Sequence, residues 1–209
     1  MAPTAPDTDE LLHQAGGGDQ RAVARLLDRH RPRLCQMVAV RMDPRLAVRL
    51  DPSDVVQETL AEAWQKLSDY LRDRPLPFYP WLRQLAWQRL VDLYRQHIRA
   101  HKRTLTREQP MEMAIPDHSA IQLADRLAAS RSSSPSRQLL RRELRQSVRD
   151  ALERLPPNDR ELLVLMYLEQ LSTAEVSAVL GVSDKAVTMR HLRALDKLRR
   201  LLAEPGADR

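Results

Sequence analysis

The chain reads as an all-α protein: two small helical domains joined by a flexible linker, the second ending in a helix-turn-helix. Three observations lead there. Gly is scarce, at 5 of 209 residues, and aromatic residues make up 4%, while Leu, Ala and Arg dominate, a mixture that favours helix. Apolar residues recur at three- and four-residue spacing, and nothing alternates with period two for long enough to argue a strand. Near the C-terminus, LSTAEVSAVLGVSDKAVTMRHLRALDKLRRLL is a pair of helices joined by a tight turn.

Taken in order, residues 1–18 end in Gly16-Gly17-Gly18 and read as a mobile tail with at most a short helical turn at 10–14. The first domain, 19–103, opens with a helix from Asp19 to Met42 that carries Val23, Leu26, Leu27, Leu34, Met37 and Val38 inward; Pro32 is expected to kink or divide it. Asp51-Pro52-Ser53-Asp54 starts the next helix, with Ser53 as its cap and Asp54 suited to the positive end of the dipole. Val55, Val56, Leu60, Trp64 and Leu67 should face the core as far as Tyr70, where LRDRPLPFYP breaks the helix. A further helix over 79–103 carries Leu82, Leu85, Ala86, Leu90, Leu93 and Tyr94 inward. Residues 104–136 change character, with PMEMAIPDHS and ASRSSSPSR marking a linker that has room for a helical piece over 119–129. The second domain, 137–204, begins with a helix to Leu155; Pro156-Pro157 stops it, Asn158 caps ELLVLMYLEQ, and 205–209 form a short tail.

In the helix-turn-helix, Leu171, Ala174, Val176, Val179 and Leu180 supply the apolar face of the first helix, which Ser172 caps. Gly181 stands where the chain leaves it, since a left-handed turn costs glycine little. Ser183 caps the second helix, which turns Val187, His191, Ala194, Leu195, Leu198 and Leu202 toward the core. Lys185, Thr188, Met189, Leu192 and Arg193 form another face. The Arg193 guanidinium can read a guanine edge, and Thr188, Met189 and Leu192 can meet thymine methyls or sugar carbons. The bland alternative is an amphipathic helix packed on another helix.

Charge agrees with an acidic polymer as partner: the net charge is +6. Between residues 82 and 103 six cations (Arg83, Arg89, Arg95, Arg99, Lys102 and Arg103) face one acid, Asp92, with Phe78, Tyr79, Trp81 and Trp87 close by. Cations and aromatics together suit a single strand or a melting duplex, although Trp81 reads better as core. Asp54 and Glu58 lie one turn apart beside Gln57 on a polar helix face. No nucleophile, phosphate loop or metal cluster accompanies them, so no catalytic residue, metal or cofactor is assigned, and the chain is read as no enzyme. His97 and His101 are spaced i, i+4 but lack the glutamate of HExxH. The single Cys35 excludes an internal disulfide and fits a reducing cytoplasm. No apolar run approaches membrane-spanning length, and MAPTAPDTDE lacks a signal core, so the expected location is cytoplasmic without membrane insertion.

Both halves together resemble the bacterial extracytoplasmic function (ECF) sigma factors. That family's D-x-x-Q-[DE] motif matches Asp54, Gln57 and Glu58, followed by Leu60 and Trp64. Its W-L-x-x-I-A-x-N-x-x-x-D-x-x-R pattern matches Trp81, Leu82, Ala86, Asp92 and Arg95, with Leu85 for Ile and Gln88 for Asn. LP-x-x-x-R is Leu155, Pro156 and Arg160. E-[IV]-A-x-x-L-G-[IV]-S is Glu175, Val176, Ser177, Leu180, Gly181, Val182 and Ser183, with Ser177 for Ala. Val187, Arg190, Arg193 and Ala194 match the recognition-helix signature. The resemblance covers residues 8–102 and 138–203 in the same order.

The resemblance implies a promoter-specificity subunit that binds core RNA polymerase, at its β′ clamp helices and β flap, and promoter DNA. Asp54, Gln57 and Glu58 would meet the clamp helices. The loop over 70–78 would capture a flipped base of the −10 element, with Arg72, Asp73 and Arg74 as its contacts, and Arg83, Arg95 and Arg99 would follow the strand. The proline-rich RPLPFYP replaces a more open loop. Lys185, Thr188, Met189, Leu192 and Arg193 would meet the −35 element, and an anti-sigma factor is an expected partner. Two rival readings are an operator-binding regulator that works without polymerase and a helical adaptor that binds only protein.

Overall fold

The computed structural model describes residues 7–99, 123, 147–148 and 150–203. The chain forms two compact units, Met1–Glu112 and Met113–Arg209, so the division falls inside the stretch read as a linker.

In the first unit the expected tail is a helix, α1 (Thr8–Gly16). Asp7 caps it, its carboxylate accepting the Glu10 N–H at 2.8 Å, and Leu11 and Leu12 are 2% and 4% exposed. The glycine run is the exit of this helix; two leucines on one face are enough to dock it on α2 (Gln20–Arg41). Asp19 caps α2 by accepting from the Arg21 and Ala22 N–H groups. Pro32 lies within α2 without dividing it. It sits on the exposed side, as does Asp28 one turn back, so the carbonyl that Pro32 leaves without a donor faces water.

After the single turn α3 (Pro44–Ala47), α4 (Pro52–Asp73) is capped by Asp51 and not by Ser53. Proline is suited to the first helical position and holds the residue before it extended. The cap therefore falls on Asp51, which accepts the Ser53 N–H at 2.7 Å. Val56, Thr59, Leu60, Ala63, Leu67 and Tyr70 form the buried stripe of α4. Trp64, expected inside, is 43% exposed, because Ala63 occupies the centre of the stripe and Trp64 the edge. The helix passes Tyr70 to end at Arg74, whose left-handed backbone (φ 39°, ψ 57°) sends its N–H to the Tyr70 carbonyl at 2.7 Å. Then α5 (Phe78–Arg99) buries Phe78, Tyr79, Leu82, Leu85, Ala86, Leu90 and Leu93, and Tyr94 is half-buried. α2 packs on α1, α4 and α5, and α4 on α5.

In the second unit, residues 150–154 are helical and end before the two prolines. The next helix, α6 (Pro157–Leu163), starts on Pro156, with Asn158 already inside its first turn and no side-chain cap. Two prolines in sequence fix that start more rigidly than Asn158 can move it. Arg160 reaches back to the carbonyls of Glu153 (2.8 Å) and Leu155 (3.2 Å), stitching the helix before the prolines to the one after them. α6 runs on into a π-helical turn, Val164–Leu168. α7 (Thr173–Leu180) has a capping box: the Ser172 hydroxyl accepts the Glu175 N–H, and the Glu175 carboxylate accepts the Ser172 N–H. Within α7 only Val176 is fully buried, and Ala174 is exposed. Gly181 makes the left-handed turn (φ 64°), and α8 (Asp184–Ala203) follows with Ser183 accepting the Ala186 N–H at 3.2 Å. Val187, Ala194 and Leu198 are its buried residues. Lys197 pairs with the nearly buried Asp159 at 2.5 Å, fastening α8 to α6, and His191 meets the Tyr167 hydroxyl at 3.0 Å.

Two outcomes follow for this unit. Arg160→Ala removes two hydrogen bonds from a charged donor and should lower its unfolding free energy by about 1–3 kcal/mol in urea denaturation. Burial pushes the His191 imidazole below its ordinary value of 6.5. The unfolded chain then takes up the proton first, so stability is full above that value and declines as pH falls below it. Urea midpoints measured between about pH 7.5 and about pH 5.5 should drop, and His191→Gln should flatten that drop.

Candidate polymerase and nucleic-acid interfaces

Asp54, Gln57 and Glu58 are all exposed on the first turns of α4. They share one face because the stripe Val55, Val56, Thr59 and Leu60 is committed to the core. The Glu58 carboxylate is paired with the Arg89 guanidinium of α5, so the acidic face is tied directly to the cationic helix. Arg89 was legible as one of six cations near the aromatics, but its partner was not. Beside the acids lies an open groove of about 500 Å³ between α2 and α4, lined by Leu27, Asp28, Gln57, Leu60 and Trp64 among others. Trp64 thus adds an apolar edge to a polar face.

The loop between α4 and α5 is shorter than the sequence suggests. Arg72 and Asp73 belong to the last turn of α4, and Arg74 is its cap. Arg72 is clasped by two carboxylates, Asp69 and Asp73, each at 3.1 Å. Those carboxylates hold its guanidinium above the ordinary value, Asp73 contributing most. All three side chains are exposed. Beneath the loop, Tyr70 stacks on Trp81 at 4.4 Å between ring centroids, and Phe78 meets both rings. Phe78, Tyr79 and Trp81 are at most 9% exposed and therefore support the loop from below. Among these aromatics Trp87 alone is half-buried, with the Arg41 guanidinium over its ring.

Arg83 departs from expectation. It is 7% exposed, because it falls in the inward stripe of α5 with Tyr79, Leu82, Ala86 and Leu90. Its charge suggested solvent, but its helical position decided otherwise. Arg95 is exposed, with Asp92 at 3.7 Å, too long and too solvated to hold it. The side chain of Arg99 lies outside the described residues, as do residues 100–103.

On α8 the structure brings Lys185, Thr188, Met189, Leu192 and Arg193 to one exposed face, opposite Val187, Ala194 and Leu198. Met189 and Leu192 are 44% and 57% exposed, an apolar centre with a cation at either end. The Thr188 hydroxyl donates to the Asp184 carbonyl at 3.0 Å. That bond occupies its proton and leaves the methyl and the oxygen's lone pairs as what it can offer a ligand. Among the described residues no group of three His, Cys, Asp or Glu is arranged to hold a metal ion. No described helix is long and apolar enough to cross a membrane.

Residues 26–103 match sigma-70 region 2, and residues 145–198 match sigma-70 region 4. The RNA polymerase sigma factor CnrH of Cupriavidus metallidurans is 34% identical over 197 residues, 94% of this chain and 95% of CnrH. The probable sigma factor RfaY of Xanthomonas campestris pv. campestris is 31% identical over 96% of this chain, which spans 46% of RfaY. The ECF sigma factor SigD of Mycobacterium tuberculosis is 27% identical over 95% of this chain and 85% of SigD. The structure of CnrH in complex with the cytosolic domain of CnrY covers 96% of this chain and 100% of that chain, with a TM-score of 0.52 and 29% identity. Region 2 followed by region 4, each carried on the helices that hold the exposed faces, means that the chain belongs to the sigma-70 family of RNA polymerase sigma factors and is of the ECF type.

Proposed function

We propose that this sigma factor docks on core RNA polymerase through Asp54, Gln57 and Glu58 and recognises a promoter with two further faces. Arg72, Asp73 and Arg74 contact the −10 element, and Arg95 and Arg99 follow its separated strand. Lys185, Thr188, Met189, Leu192 and Arg193 read the −35 element from the major groove. Arg83 drops out of this set because it is buried. The observation that carries the reading is the α8 face: five side chains exposed together on a helix whose entry is held by a left-handed glycine and a serine cap. With Thr188 offering its methyl beside Met189 and Leu192, the middle of that face suits thymine methyls, and Arg193 suits a guanine edge.

The factor acts without catalysis of its own, in the cytoplasm, as an initiation subunit. Two weak DNA contacts on one chain become effective when polymerase sets their spacing, because the second contact is then intramolecular. An anti-sigma factor holds it in reserve; that CnrH is found in complex with the cytosolic domain of CnrY supports a protein partner for this chain.

In vitro transcription with bacterial core enzyme on pooled genomic fragments tests the whole reading, and transcripts sharing two upstream elements are the expected result. Asp54→Arg should abolish co-purification with core enzyme while leaving the circular dichroism spectrum unchanged. Arg193→Ala should cost about 1–3 kcal/mol at one or two −35 positions, read as a loss of base preference in a randomised-promoter selection.

A further inference from the structure

Tyr70 grips the α4–α5 connection twice. Its carbonyl accepts the Arg74 N–H at 2.7 Å, and its hydroxyl donates to the Leu76 carbonyl at 3.1 Å. The ring itself has no room to move: it is 4% exposed, stacked on Trp81 at 4.4 Å and set edge-on to Phe78 at 5.4 Å. Between the two grips Arg74 holds a left-handed backbone, which disfavours any residue with a Cβ and persists only where its surroundings impose it. Leu76 stands between Pro75 and Pro77, each with a fixed φ and no N–H. The Arg74 N–H bonds back to α4 and the Pro77 carbonyl accepts the Trp81 N–H of α5 at 3.0 Å, and between them the Tyr70 hydroxyl supplies the bond that holds the Leu76 carbonyl.

We propose that Tyr70 is a positioning residue for −10 recognition, its hydroxyl setting the conformation of the 74–77 connection and with it the place from which Arg74 meets an unstacked base. This rests on the reading of that loop as the −10 contact. Tyr70 touches no DNA itself; it acts through Leu76 and Arg74. Burial raises the phenol above its ordinary value, which keeps it a donor throughout the neutral range. A tyrosine serving only as core would need no hydroxyl, because the ring alone makes the contacts with Trp81 and Phe78.

The test uses the full chain with core polymerase on a promoter library randomised across the −10 element and constant elsewhere. Tyr70→Phe keeps the ring and removes the one hydrogen bond; Arg74→Ala alters the loop itself. Tyr70→Phe is expected to bind core enzyme with wild-type affinity and to lose discrimination at one −10 position by about fivefold, the loss typical of a single hydrogen bond. Arg74→Ala should shift preference at the same position. Wild-type discrimination by Tyr70→Phe alongside altered discrimination by Arg74→Ala overturns the role of Tyr70 and leaves the loop reading standing. Wild-type discrimination by both variants overturns the loop reading as well. An equal loss at every −10 position, together with a lower melting temperature, marks Tyr70 as a structural residue only and also overturns the inference.

Discussion

The first unit depends on the burial of α2 against three neighbours at once. Leu26, Leu34, Met37 and Val38 have no exposure, and each such side chain withdrawn from water contributes roughly 1.5–3 kcal/mol. Because α2 meets α1, α4 and α5, it fixes which stripes of α4 and α5 turn inward. Everything left over faces solvent. Asp54, Gln57 and Glu58 face out because Val55, Val56, Thr59 and Leu60 cannot. Arg95 faces out because Leu90 and Leu93 do not. The acidic face of α4 and the outer face of α5 are thus two remainders of one packing solution, and the Glu58–Arg89 pair joins them.

The second unit solves a similar problem on a smaller core. A single helix, α8, must bury Val187, Ala194 and Leu198 while presenting an opposite face. The capping box at Ser172, the left-handed Gly181 and the Ser183 cap determine where α7 ends and α8 begins. Lys197 on Asp159 and His191 on Tyr167 then hold α8 against rotation about its own axis. A helix proposed to read a base sequence needs that fixity, since turning it by one residue would exchange Met189 for its neighbours.

Much of this was legible in the sequence, for identifiable reasons. Helical spacing located the cores of α4, α5 and α8, and Gly181 announced its turn, because both signals are local. The failures were also specific. Gly16-Gly17-Gly18 suggested a tail and hid a helix that two leucines dock. Of the kink or division that Pro32 suggested, division does not occur, because a proline on the wet side of a helix leaves its orphaned carbonyl to water. Trp64 stands four residues after Leu60 in the apolar run yet lies at the edge of the stripe, and Arg83, read outward for its charge, falls within the inward stripe of α5. The candidate faces were recoverable by counting around each helix. The pairing of Glu58 with Arg89 and the bond from Tyr70 to Leu76 were not, because they depend on how separate segments meet.

The π-helical turn at Val164–Leu168 bears on how this chain can vary in length. Such a turn accommodates one residue more than an α-turn would. That extra residue sets the phase in which Tyr167 arrives beside His191, and Leu168 in the core with no exposure. The helix ends with this turn, whose last bond runs from the Glu169 N–H to the Val164 carbonyl at 3.0 Å. Removing one residue between Leu163 and Glu169 would take up that extra length and convert the turn toward ordinary α-helix, at the expense of the place that Tyr167 or Leu168 now holds.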